Sequence, residues 1–505
     1  MKKLLCLLLA IVCYKSEAAN PVLTIEGGQV QGVKADLKGV FVFRGIPYAA
    51  PPIKGLRWKA PQPVVPWKGV FMADKFGHPG YQAVHYPGGY TTEWGYGEES
   101  PYSEDCLYAN VWTKAPGKTD KKLPVALWIH GGGYREGWGS EPEFDGQEWG
   151  NKDVVLVSIN YRLGVFGFLT YPELSKESPN HVSGNYGILD QIESLKWIKK
   201  NIAQFGGDPD NVTIFGQSAG AGSVKTLCES PLARGLFKKA IIMSGGGLGG
   251  MGGMPPRGGG TNAAPGGARA GGPGGPGAPG GMGGGMGGFG GPQTLEQSEL
   301  ATKEIMDWAG LTSLDKMRAA STETIYTVGG LYTSVTGKRT RMTGAPIVDG
   351  YVSIESFDAA AVDNKLANIP YMIGYTLNDM GDMSAGIGEF GLNREKAGGK
   401  AYAYQFARPL PTDGRDNVLK GAFHSSDLWY VFKSLQHSWR PNTAGDWQLS
   451  ETMLTAWSNF AKYGNPNGKT GDKWAPYTKE NQRFMVFKID ASDKEVSGMG
   501  NPAKP

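Results

Sequence analysis

Apolar positions along the chain follow two periodicities, which together predict a sheet of buried strands with helices packed on it. The runs Leu123 to His130 and Val154 to Asn160 are almost continuously apolar and rich in valine, leucine and isoleucine, as is typical of strands buried on both faces. From Ile188 apolar residues return at helical spacing as far as Gly206, and Val212 to Phe215 follows as another strand. Strand, helix and strand in this order predict a right-handed crossover in a mostly parallel sheet.

The composition changes abruptly between Gly245 and Pro292, where glycine dominates and proline, methionine and alanine supply most of the rest. Such a segment cannot bury enough apolar surface to offset the entropy of ordering it, so we expect a disordered surface loop. Helical periodicity returns from Gln293 to Gly310. The segment is therefore predicted to be an insertion within one large domain, and a role in self-association or wall binding stays open.

A pentapeptide with a serine at its centre follows the last of these strands directly: Gly216-Gln217-Ser218-Ala219-Gly220. In a chain with 78 glycines the pattern alone is weak. The strand before it and the possible helix after it are the context of a nucleophile elbow, a strained turn that presents the serine oxygen. Ser218 is therefore the predicted nucleophile.

Three glycines, Gly131, Gly132 and Gly133, follow the strand that ends at His130. Backbone N–H groups without side chains around them can point at an oxyanion, and such donors are usually the largest single contribution to acyl-transfer catalysis. The alternative is a turn that only lets two chain segments cross. Together with the serine, the run favours an oxyanion hole.

Seven longer segments carry a further pattern. In chain order they are FRGIPYAAPPIKGLRWKAPQPVVPW from Phe43, SEDCLYANVW from Ser103, NYRLGVFGFL from Asn160, GNYGILDQIESLKWIKKNI from Gly184, FGQSAGAGS from Phe215, GAFHSSDLWYVF from Gly421 and WSNFAKYGNPNG from Trp457. Over almost its whole mature length the chain thus resembles the type-B carboxylesterase and cholinesterase family. The resemblance implies an α/β-hydrolase fold with a mostly parallel central sheet flanked by helices.

The resemblance also implies roles for individual residues. Ser218 matches the nucleophile of the family. Gly132, Gly133 and Ala219 match the three backbone donors of its oxyanion hole. His424, in GAFHSSD, matches the general base, which takes the serine proton and later passes it to the leaving alcohol.

The acid of the triad follows from a spacing in the same family, which places a carboxylate five residues after the glycine that ends a buried strand. In IPYMIGYTLNDMGDM that glycine is Gly374, so Asp379 is the predicted acid and Asp382 is the alternative. Family members commonly have Glu followed by Gly here, whereas this chain has Asp followed by Met. Ser244, in IIMSGG, matches a buried serine that supports the acid and histidine from behind; the alternative is an ordinary hydroxyl at a strand end.

The N-terminal segment has the pattern of a secretory signal peptide, with a charged start, an apolar run from Leu4 to Tyr14 and a small-residue cleavage site. We expect residues 1–19 to be removed and residues 20–505 to form a secreted or periplasmic enzyme. The apolar run is too short to span a bilayer. The bulky Val12 argues against a lipid anchor at Cys13.

Cysteine content and net charge exclude several further classes of protein. Once the leader is gone only Cys106 and Cys228 remain, so the protein is not a disulfide scaffold. The family usually pairs the cysteine at the Cys106 position with an earlier cysteine, but this chain has Gly80 at that earlier position. The resemblance therefore implies a loop that no disulfide closes. A formal charge of +4 gives no footprint for nucleic acid, and we expect neither a metal nor an organic cofactor.

The resulting hypothesis is a secreted serine esterase that cleaves short-chain or aromatic carboxylic esters, either small molecules or esters linked to polysaccharide. A catalytically inactive adhesion module is disfavoured by the complete set of triad residues. Lipase activity on long acyl chains is a closer alternative. The sequence leaves open the acyl and alcohol specificity and the oligomeric state.

Overall fold

A computed structural model describes residues 20–85, 88–95, 101–249, 294–340, 342, 344–416 and 418–504. The predicted leader, residues 1–19, lies outside these ranges. Of the glycine-rich segment only 245–249 is described, so the expectation of a disordered loop also falls outside the described residues.

The strands among the described residues are β1 Val22–Ile25, β2 Gly28–Gln31, β3 Val33–Lys34, β4 Phe41–Pro47, β5 Val70–Met72, β6 Tyr108–Thr113, β7 Leu123–Ile129, β8 Val155–Ile159, β9 Gly207–Gln217, β10 Lys239–Met243, β11 Tyr371–Thr376, β12 Ala401–Phe406, β13 Phe484–Phe487 and β14 Gly498–Gly500. Eleven of them form one sheet in the order β14-β13-β12-β11-β10-β9-β7-β8-β6-β4-β3. From β8 to β13 every neighbouring pair is parallel, and the pairs outside that block are antiparallel. The mostly parallel central sheet is confirmed.

The helices among the described residues are α1 Gly89–Trp94, α2 Gln147–Asn151, α3 Gly164–Phe168, α4 Pro172–Glu177, α5 Tyr186–Asn201, α6 Ala219–Glu229, α7 Leu295–Trp308, α8 Leu314–Ala319, α9 Thr322–Thr336, α10 Phe357–Val362, α11 Ser384–Lys396, α12 Leu428–Val431 and α13 Ala444–Tyr463. Apolar side chains of α5 and α6 join one large core cluster, and those of α12 and α13 join a second. Both clusters include strand residues of the central sheet, so helices cover both of its faces.

The predicted strands match β7 and β8 to within one residue, but the third is longer than its apolar core. β9 begins at Gly207, which pairs with Leu123 of β7. Gly206, directly before β9, is in the left-handed conformation with a φ of +78°, and a Cβ there would lie 2.5 Å from the carbonyl oxygen of Ala115. The sequence pattern did not predict the first residues of β9, because they are polar and the apolar pattern indicates only the buried part of a strand.

Both predicted helices are present, as α5 and α7, although α5 ends at Asn201 and the chain continues as a 3-10 helix over Ile202–Phe205. Local chemistry explains the ends of α7 and α13. Thr294 caps α7 in a reciprocal capping box with Gln297. α13 begins with the same device, formed by Thr443 and Asp446, and ends at Gly464 in the left-handed conformation.

Cys106 and Cys228 are both buried free thiols. Burial raises the pKa of the Cys228 thiol to about 12. Within the described part of the chain, no helix is long and apolar enough to cross a membrane.

Candidate active site

Ser218 occupies the sharp turn between β9 and α6, with a φ of +57° and a ψ of −121°. The flanking glycines leave room for this turn. A Cβ on Gly220 would lie 2.1 Å from the carbonyl oxygen of Ile129, and one on Gly216 would lie 2.5 Å from the backbone of Gly220. Because only glycine allows these approaches, the G-x-S-x-G pattern here has the geometry of a nucleophile elbow.

The glycine run after β7 lies beside this turn. A Cβ on Gly131 would be 3.2 Å from the Cβ of Ser218, so the run and the serine are in direct proximity. Gly132 and Gly133 have φ values of +86° and +62°. Ala219 is the first residue of α6, where backbone N–H groups have no partner inside the helix. The structure thus brings together the predicted nucleophile and the predicted oxyanion donors.

His424 and Asp379 are joined by a hydrogen bond of 2.6 Å between Nδ1 and Oδ1. The loops that carry them are paired through Asn378, whose N–H donates to the carbonyl oxygen of Ala422 at 2.9 Å and whose side-chain oxygen accepts from the Ala422 N–H at 2.9 Å. This pairing fixes the two loops one residue before Asp379 and two residues before His424.

Asp379 is held as an anion by several donors. The Thr376 N–H and hydroxyl donate to Oδ2 at 3.2 and 3.0 Å, and the Met380 N–H donates to Oδ1 at 2.8 Å. Burial alone would raise the pKa of this carboxyl, but the hydrogen bond and charge of His424, with Ser244 and Met380, hold the pKa below its ordinary value.

Ser244 follows β10 directly, and its N–H donates to the carbonyl oxygen of Gly374 at 2.8 Å. Its buried hydroxyl makes no hydrogen bond of normal geometry among the described residues, yet it lies close enough to lower the pKa of Asp379. Ser244 therefore lies near Asp379, the position that the resemblance implies for it.

Asp382, the alternative acid, faces elsewhere. It is exposed, and Oδ1 accepts from the Tyr375 hydroxyl at 3.2 Å and from the Ser384 N–H at 2.9 Å. No hydrogen bond joins it to His424 among those the structure describes. The geometry therefore favours Asp379.

Sequence reasoning missed the group on the other side of the imidazole. The side-chain amide of Gln217 lies 3.1 Å from Nε2 of His424, and Gln217 is only 3% exposed. With Nδ1–H donating to Asp379, Nε2 is an acceptor that Gln217 can occupy when Ser218 does not. The available signal was a polar residue directly before the predicted nucleophile.

Four aromatic residues, Tyr86, Tyr90, Trp94 and Tyr96, stand close together in the sequence, which fits either the mouth of the active-site pocket or a packing cluster. The Tyr90 hydroxyl donates to the carbonyl oxygen of His424 at 2.9 Å, and its ring stacks on Trp94. Tyr90 is exposed and Trp94 is buried, so one lies at the surface near the histidine and the other is packed. Tyr86 and Tyr96 lie outside the described residues.

Two further groups bear on the chemistry. Burial lowers the pKa of His130, beside the glycine run, to about 4, so this imidazole is neutral near pH 7. Asp427 is fully buried, three residues after His424, and burial raises its pKa to about 7. Among the described residues, no cluster of His, Cys, Asp and Glu has the grouping of a metal site.

A sequence model of the Carboxylesterase family matches residues 19–258 and 380–501. The chain belongs to the carboxylesterase family. Ser218, the oxyanion glycines and Ser244 fall in the first matched segment, and His424 falls in the second. Asp379 lies one residue before that second segment, so its proposed role as the acid rests on its hydrogen bond with His424 rather than on the family match.

Curated relatives include a fumonisin B1 esterase of Sphingopyxis macrogoltabida, 44% identical over 227 residues, which are 44% of this chain and 39% of that protein. A para-nitrobenzyl esterase of Bacillus subtilis is also 44% identical over 227 residues, covering 45% of this chain and 44% of that protein. The pyrethroid hydrolase Ces2e of Rattus norvegicus is 42% identical over 237 residues, covering 45% of this chain and 40% of that protein. The matched part of the chain thus spans about two fifths of the length of these relatives.

Solved structures resemble the chain over most of its length. A thermophilic PNB esterase superposes with a TM-score of 0.73 at 26% identity, covering 95% of this chain and 98% of that one. A carboxylesterase of Geobacillus stearothermophilus gives 0.71 at 27% identity, with the same coverage. The predicted family and the predicted α/β-hydrolase fold are confirmed.

Proposed function

We propose that this carboxylesterase hydrolyses carboxylic esters by two-step acyl transfer, with Ser218 as the nucleophile. The observation that carries the proposal is the strained turn of Ser218, which lies against the glycine run and next to Gln217, whose amide contacts His424. This arrangement supports roles for Ser218 as nucleophile, for the glycine run as oxyanion donors and for His424 as base.

In the first step Nε2 of His424 takes the proton of the Ser218 hydroxyl while the serine oxygen attacks the ester carbonyl carbon. The backbone N–H groups of Gly132, Gly133 and Ala219 receive the negative charge that develops on the carbonyl oxygen. His424 then protonates the leaving alcohol. Water attacks the acyl-enzyme by the same route and releases the acid.

Asp379 acts through His424. Its hydrogen bond to Nδ1 fixes the tautomer that leaves Nε2 free to accept a proton, and its charge stabilises the imidazolium that forms. The lowered pKa of Asp379 keeps it ionised for this purpose at neutral pH.

The substrates that we propose are neutral esters with short-chain or aromatic acyl groups, as small molecules or linked to polysaccharide. The names of the curated relatives support small-molecule esters. Comparing rates on acetyl, butyryl, octanoyl and feruloyl esters measures this specificity. We also propose secretion through the leader of residues 1–19, and N-terminal sequencing of the exported protein tests the cleavage site.

Ser218→Ala tests the central proposal, because alanine keeps the small size that the elbow needs and removes the attacking oxygen. We expect kcat on a chromogenic short-chain ester to fall by about four to six orders of magnitude. The melting temperature serves as the folding control. A serine-reactive organophosphate should label Ser218 alone, and an adduct mapped to another residue by mass spectrometry would overturn the proposal.

A further inference from the structure

The loop that continues from the oxyanion glycines is held by a row of buried side chains. Three successive backbone N–H groups, at residues 137, 138 and 139, each donate to the side-chain oxygen of a different residue. The pairs are Gly137 with Gln82 at 2.9 Å, Trp138 with Glu141 at 2.7 Å and Gly139 with Asn160 at 2.7 Å. The three acceptors are 3%, 6% and 3% exposed, so water does not substitute for them.

Two of the acceptors are themselves fixed from separate parts of the fold. The Gln82 amide also donates to the carbonyl oxygens of Gly80 and Gly137 at 3.0 and 3.2 Å. Asn160, which directly follows β8, donates to the carbonyl oxygen of His78 at 2.9 Å. Gln82 and Asn160 therefore act as anchors, because each connects the loop to another segment of the chain.

The anchored residues are directly continuous with the oxyanion turn. The carbonyl oxygen of Gly132 accepts from the N–H groups of Arg135 and Glu136 at 3.0 and 3.1 Å, and the next residue is Gly137. A Cβ on Gly137 would lie 2.7 Å from Nδ1 of His130, where the glycine run begins. Displacing residues 137–139 would consequently shift both ends of the glycine run.

We infer that Gln82, Glu141 and Asn160 are positioning residues that set the aim of the oxyanion N–H groups in the loop 131–139. The inference rests on the proposed acyl-transfer function. Oxyanion donors act only when they point at the place where charge develops, and an error of about 1 Å can cost about a hundredfold in rate. The anchors hold the loop itself, so their loss should weaken stabilisation of the transition state more than binding of the substrate.

Glu141 offers a test with a conservative rescue. Glu141→Ala removes the acceptor for the Trp138 N–H, whereas Glu141→Gln keeps an acceptor oxygen. Burial, together with the charge of Glu141, raises the pKa of the neighbouring Glu143 well above its usual range, and the glutamine amide presents both a donor and an acceptor to that carboxyl. We expect Glu141→Ala to lower kcat by roughly 10- to 100-fold with KM changed by less than about threefold, and Glu141→Gln to stay within about threefold of the parent.

A second pair separates positioning from general damage to the core. Asn160→Ala removes an acceptor for the Gly139 N–H. Asn201→Ala removes a matched buried acceptor, for the Glu26 N–H at 2.8 Å, at the far end of α5. Both variants should lose stability to a similar degree. Only Asn160→Ala should lower kcat, and it should raise the inhibition constant of a trifluoromethyl ketone, whose serine adduct carries an oxyanion, by the same factor.

The inference is overturned if Glu141→Ala and Asn160→Ala keep kcat and the inhibition constant within about twofold of the parent. An equal loss in Glu141→Gln would also overturn it for Glu141, because the charge rather than the acceptor would then matter. Gln82→Ala, measured in the same way, replaces a variant that does not fold. Failure of the proposed function looks different, since the parent enzyme itself would then lack ester hydrolysis or carry its label away from Ser218.

Discussion

Asp379 and Asp427 are two aspartates with buried side chains near His424, and their pKa values move in opposite directions. The side chains of both are fully shielded from solvent. Asp379 receives four hydrogen bonds, including the one from His424, and its pKa is lowered. Asp427 receives one from the Tyr404 hydroxyl at 3.0 Å, its Oδ1 is unpartnered among the described residues, and its pKa is raised to about 7.

Because both side chains are equally shielded, the opposite shifts come from what surrounds each carboxyl: the hydrogen bond and charge of His424 and the further donors favour the anion at Asp379, whereas Asp427 has a single side-chain donor. The largest influence on Asp427 is burial, and the negative charge of Asp379 raises its pKa further. The carboxylate that is ionised at neutral pH is thus Asp379, which contacts Nδ1 of His424. The following predictions test this division, in order of decreasing effect on turnover.

Asp379→Asn should cause the largest loss. The amide keeps the shape of the carboxyl but can donate to Nδ1, which favours the wrong tautomer and removes the charge that stabilises the imidazolium. We expect kcat to fall by about 10³- to 10⁴-fold with little change in KM. Asp382→Asn is the matched control and should cost less than about tenfold. Reversed effects in steady-state assays would move the acid to Asp382.

Thr376→Val should have a smaller effect, because it removes one of the four donors to Asp379 and leaves the backbone donor of the same residue in place. The pKa of Asp379 should rise towards its ordinary value. We expect kcat at pH 7 to drop by about three- to tenfold. Ser384→Ala changes a hydroxyl near Asp382 and serves as the comparison. A Thr376→Val variant as slow as Asp379→Asn would contradict the assignment of separate donors.

Asp427→Asn should change turnover by less than about threefold and act mainly on stability. The folded-state pKa of Asp427, about 7, lies above the ordinary value of 3.8, so the folded state binds more protons between these pH values. This group therefore makes stability fall as pH rises from 4 to 7. Three pKa units correspond to at most about 4 kcal/mol. Asparagine mimics the protonated acid and should remove that slope.

Chemical denaturation of both proteins at several pH values measures the slope. Asp379 provides the opposite sign, since its lowered pKa gives stability that is present above the unfolded pKa and is lost as pH falls through the folded one. Parallel curves for the parent and Asp427→Asn would mean that Asp427 is ionised in the folded protein.

Tyr404→Phe should have the smallest effect on catalysis. It removes the hydroxyl that donates to Asp427 and should raise the pKa of that carboxyl further, so the fall in stability extends to higher pH. We expect kcat to stay within about twofold and the free energy of unfolding at pH 7 to drop by about 1 kcal/mol. A large loss of activity would place Tyr404 in the catalytic machinery.

Local sequence patterns predicted the parts of the site that depend on short segments. The strand before Ser218 and the glycines around it specify a turn within a few residues. The spacing from Gly374 pointed to Asp379, and the structure places that residue, and not Asp382, against His424. The catalytic roles themselves remain predictions that the variants test.

Partnerships between distant segments were not predictable in this way. Gln82 and Gly137 are 55 residues apart, and nothing near either one marks the contact. Asp427 reads as a polar residue at the start of a short helix, and nothing in the sequence marks its hydrogen bond with Tyr404, which lies 23 residues away. Sequence reasoning therefore named the candidate reactive groups with Asp379 and Ser244 beside them, but it missed buried contacts between distant segments such as the one between Gln82 and Gly137.

The two buried thiols, Cys106 and Cys228, can be used to measure how often the folded protein opens locally. In a chain that starts at Asn20, Cys106 precedes β6 and Cys228 lies in α6, the helix that begins beside Ser218. Burial raises the pKa of both thiols, so neither forms a reactive thiolate while the core is closed. Alkylation by iodoacetamide would then record how often each place opens, one near the C-terminal end of α6 and one just before β6, without any added label.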